Sequence, residues 1–306
     1  VATLLTIDWD FFIQNRGEGD PQGQTVFPDG RSTHNWLMFD WGAFEGHAPQ
    51  LGSILWWTRA SHWLRCGLDI REDLAILPEK GCVDPVKFSH ILKEQFPNLL
   101  DLDKYVGDSH AWAISVVREL MESHGPIEVV SFDAHCDLGY CADKVSRETK
   151  LGHADCGSWL YHSLEKGWVS SVEIVYPDWK GMVEWQQASQ ESFLDPFRDK
   201  VTAHTWSDWV TLGRKYEDLE GVHLCRSSNW TPPWLDQRFL ELMELISDGW
   251  WFNLDDEDDN PFGGPLIGGY NALEAREFDW DAVKEDALKM ANIFGKPGEK
   301  VAPKSE

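Results

Sequence analysis

Apolar and polar positions alternate along Thr3–Phe12 (TLLTIDWDFF), a period of two that predicts a strand ending at Asp8 or Asp10. The pattern then breaks. The next forty residues are rich in Gly, Pro, Asp, Asn and Trp and read as a long irregular segment, which at this length suits a binding surface better than a connector. Helical spacing appears in Ser61–Leu68 and Asp84–Gln95, the second capped by Asp84 with Pro85 in its first turn. Ala111–Ser123 is an amphipathic helix stopped by Gly125-Pro126, and Ile127–Phe132 follows as a short apolar strand with Asp133 at its carboxyl end. Gly157–Lys166 reads as helix, Ser171–Tyr176 as strand and Pro233–Ser247 as helix. Gly249–Leu254 is a further apolar strand closing on carboxylates, and Asp279–Phe294 is a last helix.

Strands alternating with helices imply an α/β fold with a mostly parallel sheet covered on both faces. Residues 1–295 are expected to form one domain, with an irregular aromatic-rich insertion at about 13–60 and a charged Lys/Pro tail at 296–306. The Asp-Trp pairs at Asp8, Asp40, Asp178, Asp208 and Asp279 are unevenly spaced, so no repeat and no propeller is implied.

Charge narrows the choice of partner. Asp and Glu outnumber Lys and Arg by 52 to 27, a formal charge of −25, which disfavours nucleic acid and anionic membranes and suits a cationic partner. No apolar run approaches a membrane span and Val1–Phe12 lacks a basic start, so a cytoplasmic location is expected. Cys66, Cys82, Cys136, Cys141, Cys156 and Cys225 are too sparse for a disulfide scaffold and are expected as reduced thiols.

Two strand ends carry chemistry. Asp133-Ala134-His135-Cys136-Asp137 sets three ligand-type side chains at alternate positions, which face one way if the extended conformation continues. A carboxylate-rich set with imidazole suits hard or borderline divalent ions, manganese especially. The plainer reading is a polar strand exit facing water. Asn253–Pro261 (NLDDEDDNP) crowds acids after another apolar strand; it is either a solvated loop or half of a shared cation site.

These residues resemble the ureohydrolases, the arginase and agmatinase enzymes. Ser131–Asp137 matches their S-x-D-A-H-x-D motif, Asn253–Pro261 resembles S-x-D-x-D-x-x-D-P, and Gly107-Asp108-Ser109-His110 resembles G-D-H-S. His110 precedes Asp133 by 23 positions, the family's interval. Asn253, Glu257 and Asn260 depart from the second motif, leaving Asp256 and Asp258 as alternatives to Glu257. The resemblance implies an arginase-like three-layer fold and two Mn²⁺, one held by His110, Asp133, Asp137 and Asp255, the other by Asp133, His135, Asp255 and Glu257. It also implies Asp137 as proton carrier, with His153 as a second catalytic residue.

Enzymes of this family that act on free arginine read its α-groups with an Asn soon after the D-A-H-x-D motif; Gly139 stands there instead. With the early Asp-Trp-Asp, the pattern looks like the branch of the arginase fold that includes bacterial peptide arginases, which turn arginine into ornithine within ribosomally made precursor peptides. Trp9, Trp36, Trp41, Trp56 and Trp57 offer faces for such a peptide, and Asp8 and Asp10 are expected to bind its guanidinium. The alternatives are hydrolysis of free arginine or another small guanidino compound, a one-zinc deacetylase, a haloacid-dehalogenase-type phosphatase using Asp8 and Asp10, and a catalytically silent peptide-binding module.

Overall fold

The computed structural model describes residues 1–15, 56–61, 64–65, 75–76, 83–152, 154–254 and 272–294. Seven of the described strands form one parallel sheet in the order β7-β6-β5-β1-β8-β4-β9. In chain order these are β1 (Thr3–Asp8), β4 (Lys104–Gly107), β5 (Ile127–Phe132), β6 (Val169–Tyr176), β7 (Val201–Thr205), β8 (Leu219–Cys225) and β9 (Trp251–Asn253). The short pair β2 (Gln14–Asn15) and β3 (Ala75–Ile76) is antiparallel and separate. Helices lie in the connections, and buried side chains form two cores. One holds Phe11, Phe12, Phe88, Phe132, Trp206 and Trp209; the other holds Trp112, Val116, Trp159, Leu160 and Ile174. The result is the three-layer α/β architecture that strand–helix alternation implies.

Several local expectations hold for stated reasons. Asp84 caps α1 (Pro85–Gln95) by accepting from the Val86 and Lys87 amides. Gly125, at φ 77, ends α2 (Ala113–His124) in a conformation that costs other residues a steric clash. The first strand ends at Asp8, one of the two ends expected. Asp8 accepts from the Asp10 amide, which turns Trp9–Phe12 into a 3-10 segment.

Other elements escape the periodicity argument. β4, β7 and β8 carry Lys104, His204, Glu220, Gly221 and His223, so neither alternation nor an apolar run marks them. Helices α3 (Ala142–Leu151), α5 (Val183–Ala188) and α6 (Trp206–Leu212) are short or polar. Helices α4 (Trp159–Glu165), α7 (Asp236–Leu245) and α8 (Trp280–Phe294) sit where the pattern puts them, with trimmed ends.

Among the described residues no helix is long and apolar enough to cross a membrane. Cys136, Cys141, Cys156 and Cys225 form no disulfide among the described residues; Cys66 and Cys82 lie outside the described residues.

Candidate metal centre

A parallel sheet brings all its carboxyl ends to one edge, and ligands collect there. At that edge the neighbouring strands β5, β1, β8 and β4 deliver a connected set of buried side chains. Asp8 ends β1, and Asp10 sits in the 3-10 turn behind it. Asp133 follows β5, and His110 opens the turn into α2 beyond β4. His110 Nδ1 lies 2.9 Å from Asp133 Oδ2, 2.9 Å from Asp137 Oδ2 and 3.3 Å from Asp8 Oδ2. His135 Nδ1 lies 2.8 Å from Asp10 Oδ2 and 3.6 Å from Asp133 Oδ1.

These atoms form two overlapping groups, Asp8–His110–Asp133 and Asp10–Asp133–His135, with the donor atoms of each within 4.8 Å of one another. Asp133 belongs to both. The groups could hold a metal ion, and the hydrogen bonding favours that use. His110 Nδ1, Asp133 Oδ2 and Asp10 Oδ2 are buried with no hydrogen bond, so the short His110 contacts are electrostatic rather than aligned hydrogen bonds. Meanwhile the other oxygens are fixed by the protein. The Ala134 amide donates to Asp10 Oδ1, the His135 amide to Asp133 Oδ1, and Trp159 Nε1 to Asp137 Oδ2 at 2.7 Å. Ser227 donates to Asp8 Oδ2 at 2.6 Å. Buried carboxylates steered in this way, with lone pairs left over beside two imidazoles, could hold a metal ion.

The electrostatics agree. Asp8, Asp10, Asp133 and Asp137 are 5% exposed or less. Two unit charges 4 Å apart repel by about 4 kcal/mol at an effective dielectric of 20, so several such pairs demand a positive neighbour. Protons supply part of it. Burial, then the charge of Asp133, pushes the Asp137 carboxyl up to about 7. Asp10 is raised by burial and again by Asp133. Burial works against charge on Asp133 and His110 too, yet their contacts reverse it: His110 holds Asp133 well below the carboxylate range, and Asp133 and Asp137 hold the imidazole well above its own.

The backbone is strained at the same place. Asp137 and Ser227 are the non-glycine residues at positive φ among those described, both at 50°, a conformation costing about 1–3 kcal/mol each. Trp230 stands against His135, ring centroids 5.2 Å apart.

Of the residues singled out from sequence, His110, Asp133, His135 and Asp137 come together here. Asp8 and Asp10 join them as members of the two donor groups, because the turn after β1 folds them against Asp133 and His135. Asp255, Glu257 and His153 lie outside the described residues. The strand leading to Asp255 is β9, at the sheet edge four places from β5, about 19 Å at the usual strand spacing. The place beside β5 belongs to β1. Two tryptophans expected to face a peptide are core residues: Trp9 packs on Phe12 and Phe239, and Trp56 is 2% exposed with its Nε1 on the Ser228 carbonyl. Trp57 is half-buried against Asp286 and Phe278, and Trp36 and Trp41 lie outside the described residues.

Sequence reasoning missed Thr6, Trp159, His223, Ser227 and Trp230. A signal existed for the first strand: Thr6-Ile7-Asp8-Trp9-Asp10 is a hydroxyl followed by D-x-D spacing at a strand end, parallel to Ser131-Phe132-Asp133-Ala134-His135 on the neighbouring strand. Comparison with protein-family models, with curated proteins and with solved structures returned no match, so the site is read from its own chemistry.

Proposed function

We propose that this chain is a manganese-dependent hydrolase of the guanidinium group, acting on arginine side chains within a peptide to release urea and leave ornithine. The observation that carries the reading is the pair of donor groups joined through Asp133. His110, Asp133, Asp137 and Asp8 would hold one Mn²⁺, and Asp133, His135, Asp8 and Asp10 the other, so that Asp8 and Asp10 take the places the sequence suggested for Asp255 and Glu257. Carboxylate with imidazole and no thiolate among the donors favours manganese over zinc. Bound there, such ions supply an acidified water to a carbon that is a poor electrophile.

The remaining work falls to the chain. Asp137, held by Trp159 at the edge of the donor groups, is suited to carry a proton toward the leaving amine. The Trp230 face beside His135 suits a planar cation, and the negative edge of the sheet attracts one. Peptidyl rather than free arginine is favoured by Gly139. Its φ is 75°, and a Cβ there would lie 2.2 Å from Val145 Cγ1, so an α-carboxylate reader at this position would be strained and would displace Val145. The acidic composition and a bacterial-type precursor peptide as partner, in a cytoplasmic setting, are compatible with this reading.

The test is incubation of the Mn²⁺-loaded protein with arginine and with arginyl peptides, followed by urea detection and mass spectrometry of the peptide. Conversion of peptidyl arginine to ornithine supports the proposal. Faster turnover of free arginine at matched concentration would make it an ordinary arginase, and no urea from either would remove the hydrolase reading.

A further inference from the structure

One level below the carboxylates, the centre of the sheet carries a polar row where a buried parallel sheet usually holds Val, Ile or Leu. Ser131 on β5, Thr6 on β1 and His223 on β8 are in register with one another, and all are buried, Thr6 and His223 at 0% exposure. Thr6 Oγ1 lies 2.8 Å from His110 Nε2 and 3.0 Å from His223 Nδ1. The two imidazoles are stacked, 14° from parallel with centroids 5.8 Å apart.

Hydrogen counting limits the direction of this contact. A hydroxyl has one proton, so Thr6 can donate to only one of the two ring nitrogens, and a bond to the other is one it accepts. His110 turns Nδ1 toward Asp8, Asp133 and Asp137. If Thr6 donated to His110, the proton of the neutral ring would sit on Nδ1, in the space a cation needs. If His110 donates from Nε2, Nδ1 can give up its proton to a cation at the carboxylate edge, and Thr6 donates its own hydrogen bond to His223 Nδ1. A proton on His223 then belongs on Nε2, which is buried without a hydrogen bond.

We propose that Thr6 and His223 are positioning residues for the metal centre: a one-way relay from His110 Nε2–H to the Thr6 hydroxyl to His223 Nδ1 that holds His110 in the tautomer and ring orientation required for coordination through Nδ1. This rests on the metal reading above, but the relay's direction is readable without metal. Its role explains why β1 and β8 carry Thr and His at buried sheet positions, and it gives His110 an outer partner of the kind that orients metal-binding histidines.

The experiment uses the full chain, metal-free and titrated with Mn²⁺. Nitrogen-15 NMR of the metal-free protein should find His223 with Nδ1 unprotonated and its proton on Nε2. Thr6→Val, nearly isosteric, should weaken Mn²⁺ binding by about 10–100-fold, the usual cost of losing an outer partner. Thr6→Ser should restore most of that affinity, and His223→Leu should lose less than Thr6→Val because Thr6 can still accept from His110. Thermal melts of the metal-free variants separate these effects from misfolding. A proton on His223 Nδ1, or a folded Thr6→Val protein binding Mn²⁺ like the parent, would overturn the relay. Absence of Mn²⁺ binding by the parent would instead overturn the metal reading, with the NMR result still deciding the relay's direction.

Discussion

Two buried charge clusters lie at the same edge of the sheet, and they are built on opposite plans. Beyond β8, Arg226 bonds Asp108 at 2.6 Å and reaches Asp236 at 3.5 Å, while Arg276 grips both oxygens of Asp236 at 2.6 and 2.7 Å. Arg276 also donates to the carbonyls of Ser228 and Thr231. Two cations meet two anions, and the loop after β8 is clamped to residues 274–276. A few residues away, Asp8, Asp10, Asp133 and Asp137 face two histidines, with orphaned atoms aimed at one another. The first cluster neutralises itself. The second is left incomplete by the protein, and the balanced clamp holds the loop whose Ser227 and Trp230 lie against it. Rigidity on one side supports unsatisfied charge on the other, which is how strained and pre-organised sites persist.

The contrast is sharpest at Asp133. Asp133→Asn should lower turnover by about 10³-fold or more, beyond the 10–100-fold expected for a lost outer partner, because one side chain serves both donor groups. The same substitution should also lower the stability of the metal-free protein at neutral pH, since it removes the carboxylate that His110 and His135 hold ionised against burial. Steady-state kinetics and urea unfolding without metal check the two halves.

Arg276→Met should act through stability alone. It strands the Asp236 carboxylate, which is 0% exposed, and should cost about 3–5 kcal/mol in urea unfolding whether or not metal is present. A loss below about 1 kcal/mol would mean the clamp is not the support described.

A milder effect is expected away from the edge, where α3 meets α4. Burial opposes ionisation of Glu148, but His162 at 3.1 Å and Lys144 hold its pKa below the ordinary 4.5. A depressed carboxylate adds stability above its unfolded pKa and loses it as the pH falls through the folded value. Glu148→Gln should therefore cost about 1–2 kcal/mol at pH 7 and little below pH 4, as followed by urea unfolding across that range.

How much of this was legible in the chain depended on locality. The Asp133–Asp137 run was readable because it follows a strand with a clear apolar pattern, whereas His110 was reached only through its resemblance to a family motif and interval. The three-layer α/β class followed from the same alternation. Asp8 and Asp10 were visible as strand-end acids, but their place among the donors depends on β1 lying next to β5, and strand order is a property of the whole sheet. The crowded acids of Asn253–Pro261 drew the motif argument instead, while β9 leads to them from the sheet's far edge. Thr6 and His223 lie 217 positions apart and meet only through register. Arg226, Asp236 and Arg276 carry no spacing signal, because a buried ion network is set by three-dimensional proximity alone.

The central claim is that β1 supplies half of a shared metal centre, and metal titration of matched variants tests it most directly. Full-length parent protein, Asp8→Asn and Asp10→Asn are freed of metal, titrated with Mn²⁺ and analysed for bound metal. The account predicts two Mn²⁺ per parent chain, with occupancy or affinity lost in both variants while their metal-free melting temperatures hold or rise. Parent-like Mn²⁺ binding by folded Asp8→Asn and Asp10→Asn proteins would contradict it.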